Sequence, residues 1–381
     1  MSLAAQVVGS ILKHDRKVNS YKLALIRSIN DVVLSYPDLA DGGKDVAVPV
    51  RRLAQYWVAY YWPFTDRRNP IFQGPRAARG ATLANDMAFR PALTNLKDLW
   101  EDRFGASRPS DGFLLVAELR VARIARSYPP ELRRSFRAAV SAISKAVEQP
   151  IRYAGPGGTK HAVFPPPQPA AAWPGSVRVP GTSSDEASVL VSGELWAAFR
   201  DLSLWIEALC VHEWSLFTEG LSSSGADRGL AYSLLTSRPD NRRPLTWERN
   251  QVDLLMREGR EFVCPWTEKR LGAGRYAIDH IVPVSVYPTN ELWNLVPSDE
   301  RFNSHVKRAR MPTTARMAEA TPRLARTYEA YAASLSLRGA LDSDVGERFA
   351  LPPASGPEAI ARAVARTTLA IADARSVERF W

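Results

Sequence analysis

Polar residues in the last third of the chain have the types needed to cleave a phosphodiester bond. They are Asp279, His280, Asn294, Asn303 and Lys307. A hard divalent cation prefers oxygen ligands, and Asp279 with the side-chain carbonyl of Asn303 offers two while leaving positions for water and phosphate oxygens. His280 is the predicted general base, because an imidazole can accept a proton from water near neutral pH. Lys307 is predicted to neutralise charge that develops on the phosphate.

Two further residues each allow two roles. Asn294 either orients the imidazole of His280 or ties down the backbone of the neighbouring loop. His305 is an alternative metal ligand, but it lies two positions after Asn303 and therefore points away from it on a helix. We expect His305 to be exposed or to face DNA, and we assign the second metal ligand to Asn303.

The order of local elements around these residues is strand, loop, strand, helix. The stretch YAIDHIVPV is rich in β-formers, TNELWNLVP gives a turn and a second apolar strand, and SDERFNSHVKRARMP begins a helix. Ser298 is a good N-cap for that helix, and Pro312 ends it. Asn303 and Lys307 are four residues apart and share one face.

These residues and elements resemble an HNH nuclease domain, which has the ββα-metal fold. The resemblance covers about 50 residues and implies metal-dependent cleavage of nucleic acid, with Asp279 and His280 after the first strand. The spacing from His280 to Asn294 and Asn303, and the wording DHIVP from Asp279 to Pro283, are also similar to the HNH domain of RNA-guided Cas9 proteins. The implied cofactor is Mg²⁺, with Mn²⁺ as a substitute.

Many HNH domains carry two Cys-x-x-Cys pairs that bind a structural zinc ion. Here only Cys264 is present, and Thr267 stands where its partner would be. We therefore expect no structural zinc. Packing must hold the module together, with Trp266 and Trp293 in its interior.

Helical periodicity dominates the rest of the chain. We predict a helical N-terminal domain over residues 1–150, a proline-rich connector with short strands over 151–190, and a helical segment over 191–258. The ββα-metal HNH module follows over 259–312, and C-terminal helices occupy 313–381. The predicted fold class is mainly α with an embedded ββα-metal module, or α+β overall.

Two aromatic groups in these helices are predicted to be core. Aromatic residues from Tyr56 to Trp62 recur at helical spacing, which favours packing over base stacking. The stretch from residue 193 to 221 is predicted to be helical with one aromatic face that includes Trp205. Short strands are expected at IRY (151–153), HAVF (161–164) and SVLV (188–191).

Composition favours a polyanionic partner. The 381 residues have a formal charge of +10 and only two cysteines, which fits nucleic-acid binding and a reducing compartment. Four arginines near the module are predicted nucleic-acid contacts: Arg308, Arg310, Arg243 and Arg249. No long apolar run or signal peptide is evident, so we expect a cytoplasmic protein without a membrane partner.

The predicted function is metal-dependent DNA hydrolysis, serving antiviral defence or restriction in bacteria. The alternatives are an RNA-directed or host-toxic nuclease, and a nucleic-acid-binding protein that no longer cuts. A regulatory protein or activating ligand acting through the N-terminal helices is left open, as is a homo-oligomer.

Overall fold

The computed structural model describes residues 2–40, 42–74, 86–155, 159–221, 225–238 and 245–381. Helices dominate these residues, and the strands between them are short, so the mainly α, α+β class predicted from the sequence is confirmed. The chain forms two compact units. Unit 1 comprises residues 1–119 and 127–239, and unit 2 comprises residues 120–126 and 240–381.

Unit 1 is built mainly from helices. Its helices are α1 (Leu3–Lys13), α2 (Tyr21–Ser35), α3 (Val50–Tyr61), α4 (Arg90–Phe104), α5 (Asp111–Arg120), whose last residue is assigned to unit 2, α7 (Pro130–Tyr153), α8 (Gly193–Asp201), α9 (Ser203–Glu219) and α10 (Arg228–Thr236). Helix α3 packs on α7, and α2 packs on α9. Trp57, Tyr60, Tyr61 and Trp62 are buried, which confirms their predicted place in the core.

Three expectations for unit 1 are wrong. The predicted helix over 193–221 is interrupted at Leu202, between α8 and α9. Trp205 is 76% exposed, whereas Trp196 and Trp214 are buried. Trp205 lies about two and a half helical turns from each of these tryptophans, so helical spacing itself places it on the opposite side. The predicted strand at 151–153 is the last turn of α7, which continues through Pro150. The stretch 161–164 is a turn, because His161 adopts a positive φ there.

A small sheet accounts for the proline-rich stretch. It contains β1 (Val46–Pro49), β2 (Gln168–Pro169), β3 (Val177–Arg178) and β4 (Ala187–Val191), in the order β2-β4-β1-β3. The strand predicted at 188–191 is confirmed within β4, which pairs antiparallel with β1. Residues 168–191 are thus joined to the N-terminal region by backbone hydrogen bonds.

Unit 2 holds the polar residues that could cleave a phosphodiester bond. Its helices are α6 (Ala122–Ala125), α11 (Thr246–Arg257), α12 (Thr314–Ala332), α13 (Leu335–Phe349) and α14 (Pro357–Ala374). Its strands form three pairs: β5 (Phe262–Val263) with β6 (Arg270–Leu271), β7 (Ala277–His280) with β8 (Leu295–Ser298), and β9 (Met311–Pro312) with β10 (Arg379–Phe380). Trp266 and Trp293 are 1% and 0% exposed, as predicted.

Two tyrosines of helix α12 donate hydrogen bonds to strand β8 and to the residues before it. The hydroxyl of Tyr328 donates to the carbonyl oxygen of Trp293 at 2.6 Å, and that of Tyr331 donates to the carbonyl oxygen of Leu295 at 2.9 Å. Both tyrosines are buried, and burial raises their pKa values, so they remain neutral donors. The β8 backbone is therefore held by hydrogen bonds from outside its own strand pair. No helix in the described ranges combines the length and apolar character needed to cross a bilayer.

Replacing either tyrosine with phenylalanine is expected to lower the free energy of unfolding by about 1–2 kcal/mol, because a buried carbonyl oxygen loses its donor. Urea unfolding followed by circular dichroism measures this change. Tyr232→Phe is the matched control, since Tyr232 is 56% exposed, and it should unfold like the wild type. If all three variants were as stable as the wild type, these hydroxyls would contribute nothing to holding β8.

Candidate active site

Strands β7 and β8 form an antiparallel pair that carries Asp279 and His280. Asp279 lies opposite Val296, and His280 lies opposite Leu295. Consecutive strand residues point to opposite faces, and accordingly Asp279 is 3% exposed while His280 is only partly buried. His280 is the last residue of β7, so the chain turns directly after it.

Both carboxylate oxygens of Asp279 have protein donors. The indole Nε1 of Trp266 donates to Oδ2 at 3.0 Å, and the ammonium of Lys307 donates to Oδ1 at 2.9 Å. Lys307 is 1% exposed, and its Nζ also donates to the carbonyl oxygen of His280 at 2.7 Å. The charge of a buried carboxylate is therefore compensated inside the protein. The contacts that Lys307 makes in the structure are those to Asp279 and the His280 backbone, and its role toward a phosphate stays a prediction.

The imidazole of His280 is held by a residue that the sequence did not single out. Its Nε2 lies 2.8 Å from Oδ1 of Asn290. An amide oxygen only accepts hydrogen bonds, so Nε2 carries the hydrogen and the lone pair on Nδ1 can take a proton. Burial lowers the pKa of His280, against the opposing effects of Asn290 and Asp279. The ring is therefore neutral at neutral pH, as a general base must be.

Asn294 holds the backbone that follows β7. Its Oδ1 accepts from the amide of Val282 at 2.7 Å, and its Nδ2 donates to the carbonyl oxygen of Val282 at 3.0 Å. Of the two roles predicted for Asn294, its hydrogen bonds match the one that ties down the loop. The contact to the imidazole belongs instead to Asn290, which lies in the turn before β8. The available signal in the sequence was a second asparagine, Asn290, in the stretch between the two strands.

The helix predicted after β8 is short and wide. Residues Phe302–Lys307 form a π-helical segment, in which the amide of Arg308 donates to the carbonyl oxygen of Asn303 at 2.9 Å. Arg308 then adopts a positive φ of 49° and ends the segment. π-Helical turns are rare in proteins, and many of those that do occur lie at functional sites.

An open cleft of about 280 Å³ brings most of the predicted residues together. Its lining includes Asp279, His280, Asn303, Lys307 and Arg308. The cleft therefore combines a carboxylate, an imidazole, an amide and two cationic side chains.

His305 lies outside this cleft. It is exposed, its Nδ1 lies 2.8 Å from Oγ of Ser304, and it lines a separate groove with Lys269 and Arg301. The structure thus separates His305 from Asp279, as its position relative to Asn303 predicted. This position argues against its use as the alternative metal ligand.

The four predicted nucleic-acid contacts have different surroundings. Arg308 is exposed on the cleft. Arg310 is partly buried beside Glu378, with an NH1–Oε1 distance of 3.6 Å, and its guanidinium lies 6.0 Å from the ring centre of Trp381. Arg249 packs over Tyr276 at 5.2 Å. Arg243 lies outside the described residues.

A buried charged cluster lies behind Asn290. The Asn290 loop, which we define as residues 287–292, has its Leu292 amide bound to Asp344 at 2.8 Å. Burial raises the pKa of Asp344 to about 7, with a further contribution from Glu291, while Arg123 opposes the shift. Burial also raises the pKa of Glu291. The backbone that carries Asn290 is thus bound to groups whose charge depends on pH.

Comparison with known families identifies the class of this site. A family model described as HNH endonuclease matches residues 264–313. That range contains the cleft-lining Asp279, His280, Asn303, Lys307 and Arg308, so unit 2 carries an HNH-family nuclease module. The narrower likeness to the Cas9 domain gains no support from the comparisons.

A second family model covers most of the remaining chain. It is described as a domain of unknown function (DUF8808) and matches residues 1–235, which is more than half of the sequence. The chain belongs to this family. Neither the curated proteins nor the solved structures contain a match to the chain.

The raised pKa of Asp344 predicts a dependence of stability on pH. Because the folded chain keeps the proton to a higher pH than the unfolded chain, the free energy of unfolding should fall as pH rises from about 4 to about 7. Asp344→Asn has no carboxyl proton to release, so its free energy of unfolding should decrease less over this pH interval. Urea unfolding of both proteins across this interval measures the difference. Parallel stability curves would show that Asp344 ionises normally in the folded chain.

Proposed function

We propose that the chain is a metal-dependent endonuclease that hydrolyses phosphodiester bonds in DNA. The observation that carries this proposal is the shared cleft of Asp279, His280 and Asn303 within the HNH-family match. The formal charge of +10 supports a nucleic-acid substrate.

Asp279 and Asn303 are the proposed holders of a divalent cation. Among the described residues, no group of three or more His, Cys, Asp and Glu side chains could hold a metal ion. A site with one carboxylate and one amide instead suits Mg²⁺, or Mn²⁺, which keeps several waters. Each oxygen of Asp279 already accepts one hydrogen bond, and a carboxylate oxygen has a further lone pair. The donor types and the open cleft therefore fit such a cation.

The bound cation would stabilise negative charge on the phosphate and on the leaving oxygen. His280 accepts the proton of the attacking water at Nδ1, while Asn290 holds Nε2 and so fixes the ring. Lys307 pairs with Asp279 and fixes the end of β7 through the His280 carbonyl. Arg308 is the exposed cation on the cleft that can meet a phosphate group.

One cleft of this kind in a chain cuts one strand per encounter, so nicked plasmid should be the first product. We place this activity in the cytoplasm, in antiviral defence or restriction, with the DUF8808 region receiving a regulatory protein or an activating ligand.

RNA is the rival substrate, because the same base and cation act on either polymer. Two rival functions are a nuclease toxic to its host and a protein that binds nucleic acid without cutting it. A homo-oligomer is compatible with each of these functions.

Cation binding can be measured apart from cleavage. Isothermal titration of Mn²⁺ into the wild-type protein should give a binding isotherm. Asn303→Ala should weaken or abolish it, because one of the two proposed ligands is lost. His305→Ala is the matched control on the same segment and should bind like the wild type. If His305→Ala weakened Mn²⁺ binding and Asn303→Ala did not, the ligand would be reassigned to His305.

Cleavage of supercoiled plasmid tests the activity itself. With Mg²⁺ or Mn²⁺ the wild type should nick the plasmid, and chelator should stop the reaction. His280→Ala should lower the rate by at least about 100-fold, which is typical for loss of a general base. His305→Ala should cut normally.

Matched single-stranded DNA and RNA substrates distinguish the rival functions. Metal-dependent cutting of RNA alone would replace DNA as the substrate while keeping the roles of the residues. If the wild type binds plasmid but cuts neither polymer under any of these conditions, the nuclease proposal fails and a binding function gains support. Equal activity of wild type and His280→Ala would remove His280 from the mechanism.

A further inference from the structure

Arg123 binds the backbone of the residue that holds the proposed base. Its guanidinium NH2 donates to the carbonyl oxygen of Asn290 at 2.7 Å. The side chain of the same asparagine accepts from Nε2 of His280. A two-step path of hydrogen bonds therefore runs from Arg123 through Asn290 to the imidazole.

The surroundings of Arg123 fix its guanidinium in place. NH2 also binds Oε1 of Glu248, and NH1 lies 3.5 Å from Oδ2 of Asp344. The indole of Trp247 lies beneath the guanidinium, 5.2 Å from it. Since Asp344 also accepts from the amide of Leu292, the Asn290 loop is bound at two backbone positions by the same charged cluster. The loop cannot shift without breaking these contacts.

The origin of Arg123 in the chain is unexpected for a nuclease residue. It lies on α6, within residues 120–126, which belong to unit 2 although the sequence on both sides of them belongs to unit 1. The DUF8808 match covers this segment, whereas the HNH match begins only at residue 264. The family region thus contributes a short segment to the unit that contains the cleft.

We propose that Arg123 is a positioning residue for His280, acting through Asn290, so that the DUF8808 region completes the nuclease site. This inference rests on the proposed function for its kinetic consequence. Arg123 has no place on the cleft lining and does not act on substrate. Its role is to hold the Asn290 loop so that Nε2 of His280 stays bound and Nδ1 faces the attacking water.

If Arg123 only positions His280, replacing it should lower kcat and leave KM almost unchanged. Arg123→Met should lower kcat for plasmid nicking by about 10- to 100-fold, which is typical when a reacting group is misplaced by about an ångström. KM should stay within about 2-fold, because the residues that meet DNA are unchanged. Arg123→Lys keeps a donor for the Asn290 carbonyl and should recover much of the lost kcat. Arg126→Met is the matched control, since Arg126 is exposed three residues further along the same segment.

A double-mutant cycle tests the path through Asn290. Asn290→Ala removes the acceptor for Nε2, so adding Arg123→Met to it should lower kcat by less than about 3-fold further. An equal loss in both backgrounds would show that Arg123 acts by general destabilisation and would overturn the proposal. So would an unchanged kcat in Arg123→Met. If Arg123→Met does not fold, Arg123→Gln, whose side chain is shorter and uncharged, replaces it in both backgrounds, and the same two outcomes decide the test.

The imidazole spectrum gives a readout that does not need activity. In the metal-free protein at alkaline pH, long-range ¹H–¹⁵N spectra should show His280 in the Nε2-protonated tautomer, with the signal assigned by its loss in His280→Ala. Arg123→Met should give a mixture of tautomers, while Arg126→Met should match the wild type. A changed spectrum with no cleavage by any protein would support the positioning contact and count against the proposed function. An unchanged spectrum in Arg123→Met would overturn the positioning role whether or not the wild type cuts DNA.

Discussion

The buried carboxylate of Asp279 constrains the whole cleft. A carboxylate removed from water destabilises the folded chain unless donors replace its lost hydration. Lys307 and Trp266 supply those donors from outside strand β7. Since the same ammonium of Lys307 binds the His280 carbonyl, it fixes the end of β7 against the π-helical segment. Asn303 lies on that segment, and its place on the cleft follows from the position of Lys307.

The elements that the sequence predicts well are those decided by local pattern. Helical periodicity predicted the helical character of residues 1–150 and 191–258, where α2, α3 and α11 lie, and the strand, loop, strand order around Asp279 and Asn294 is present as β7 and β8. The residues that share the cleft were predictable for the same reason, because they lie within about one short supersecondary unit. The helix after β8 differs in kind, since it is π-helical, and residue spacing does not distinguish a π-helical turn from an α-helical one.

The details that the sequence did not predict depend on tertiary partners. Asn290 and Asn294 are the same residue type four positions apart, and only the folded chain decides which one meets the imidazole and which one meets Val282. For the two asparagines, contacts that form only in the folded chain select between the two roles. Trp205 is a different case, because it lies about two and a half helical turns from both Trp196 and Trp214 and was therefore assigned to the wrong face of its helix.

The residues that meet substrate and those that hold them come from different parts of the sequence. The HNH match spans the cleft, yet the loop that carries Asn290 is bound by Arg123 from α6 and by Asp344 from α13. Buried charges of this kind hold one geometry only when all partners are present, because each unpaired member would face a large desolvation penalty. The compact unit accordingly extends beyond the matched residues, to 120–126 and to the C-terminal helices. The matched residues therefore line the cleft, while the loop that binds the imidazole of His280 is held by residues outside the match.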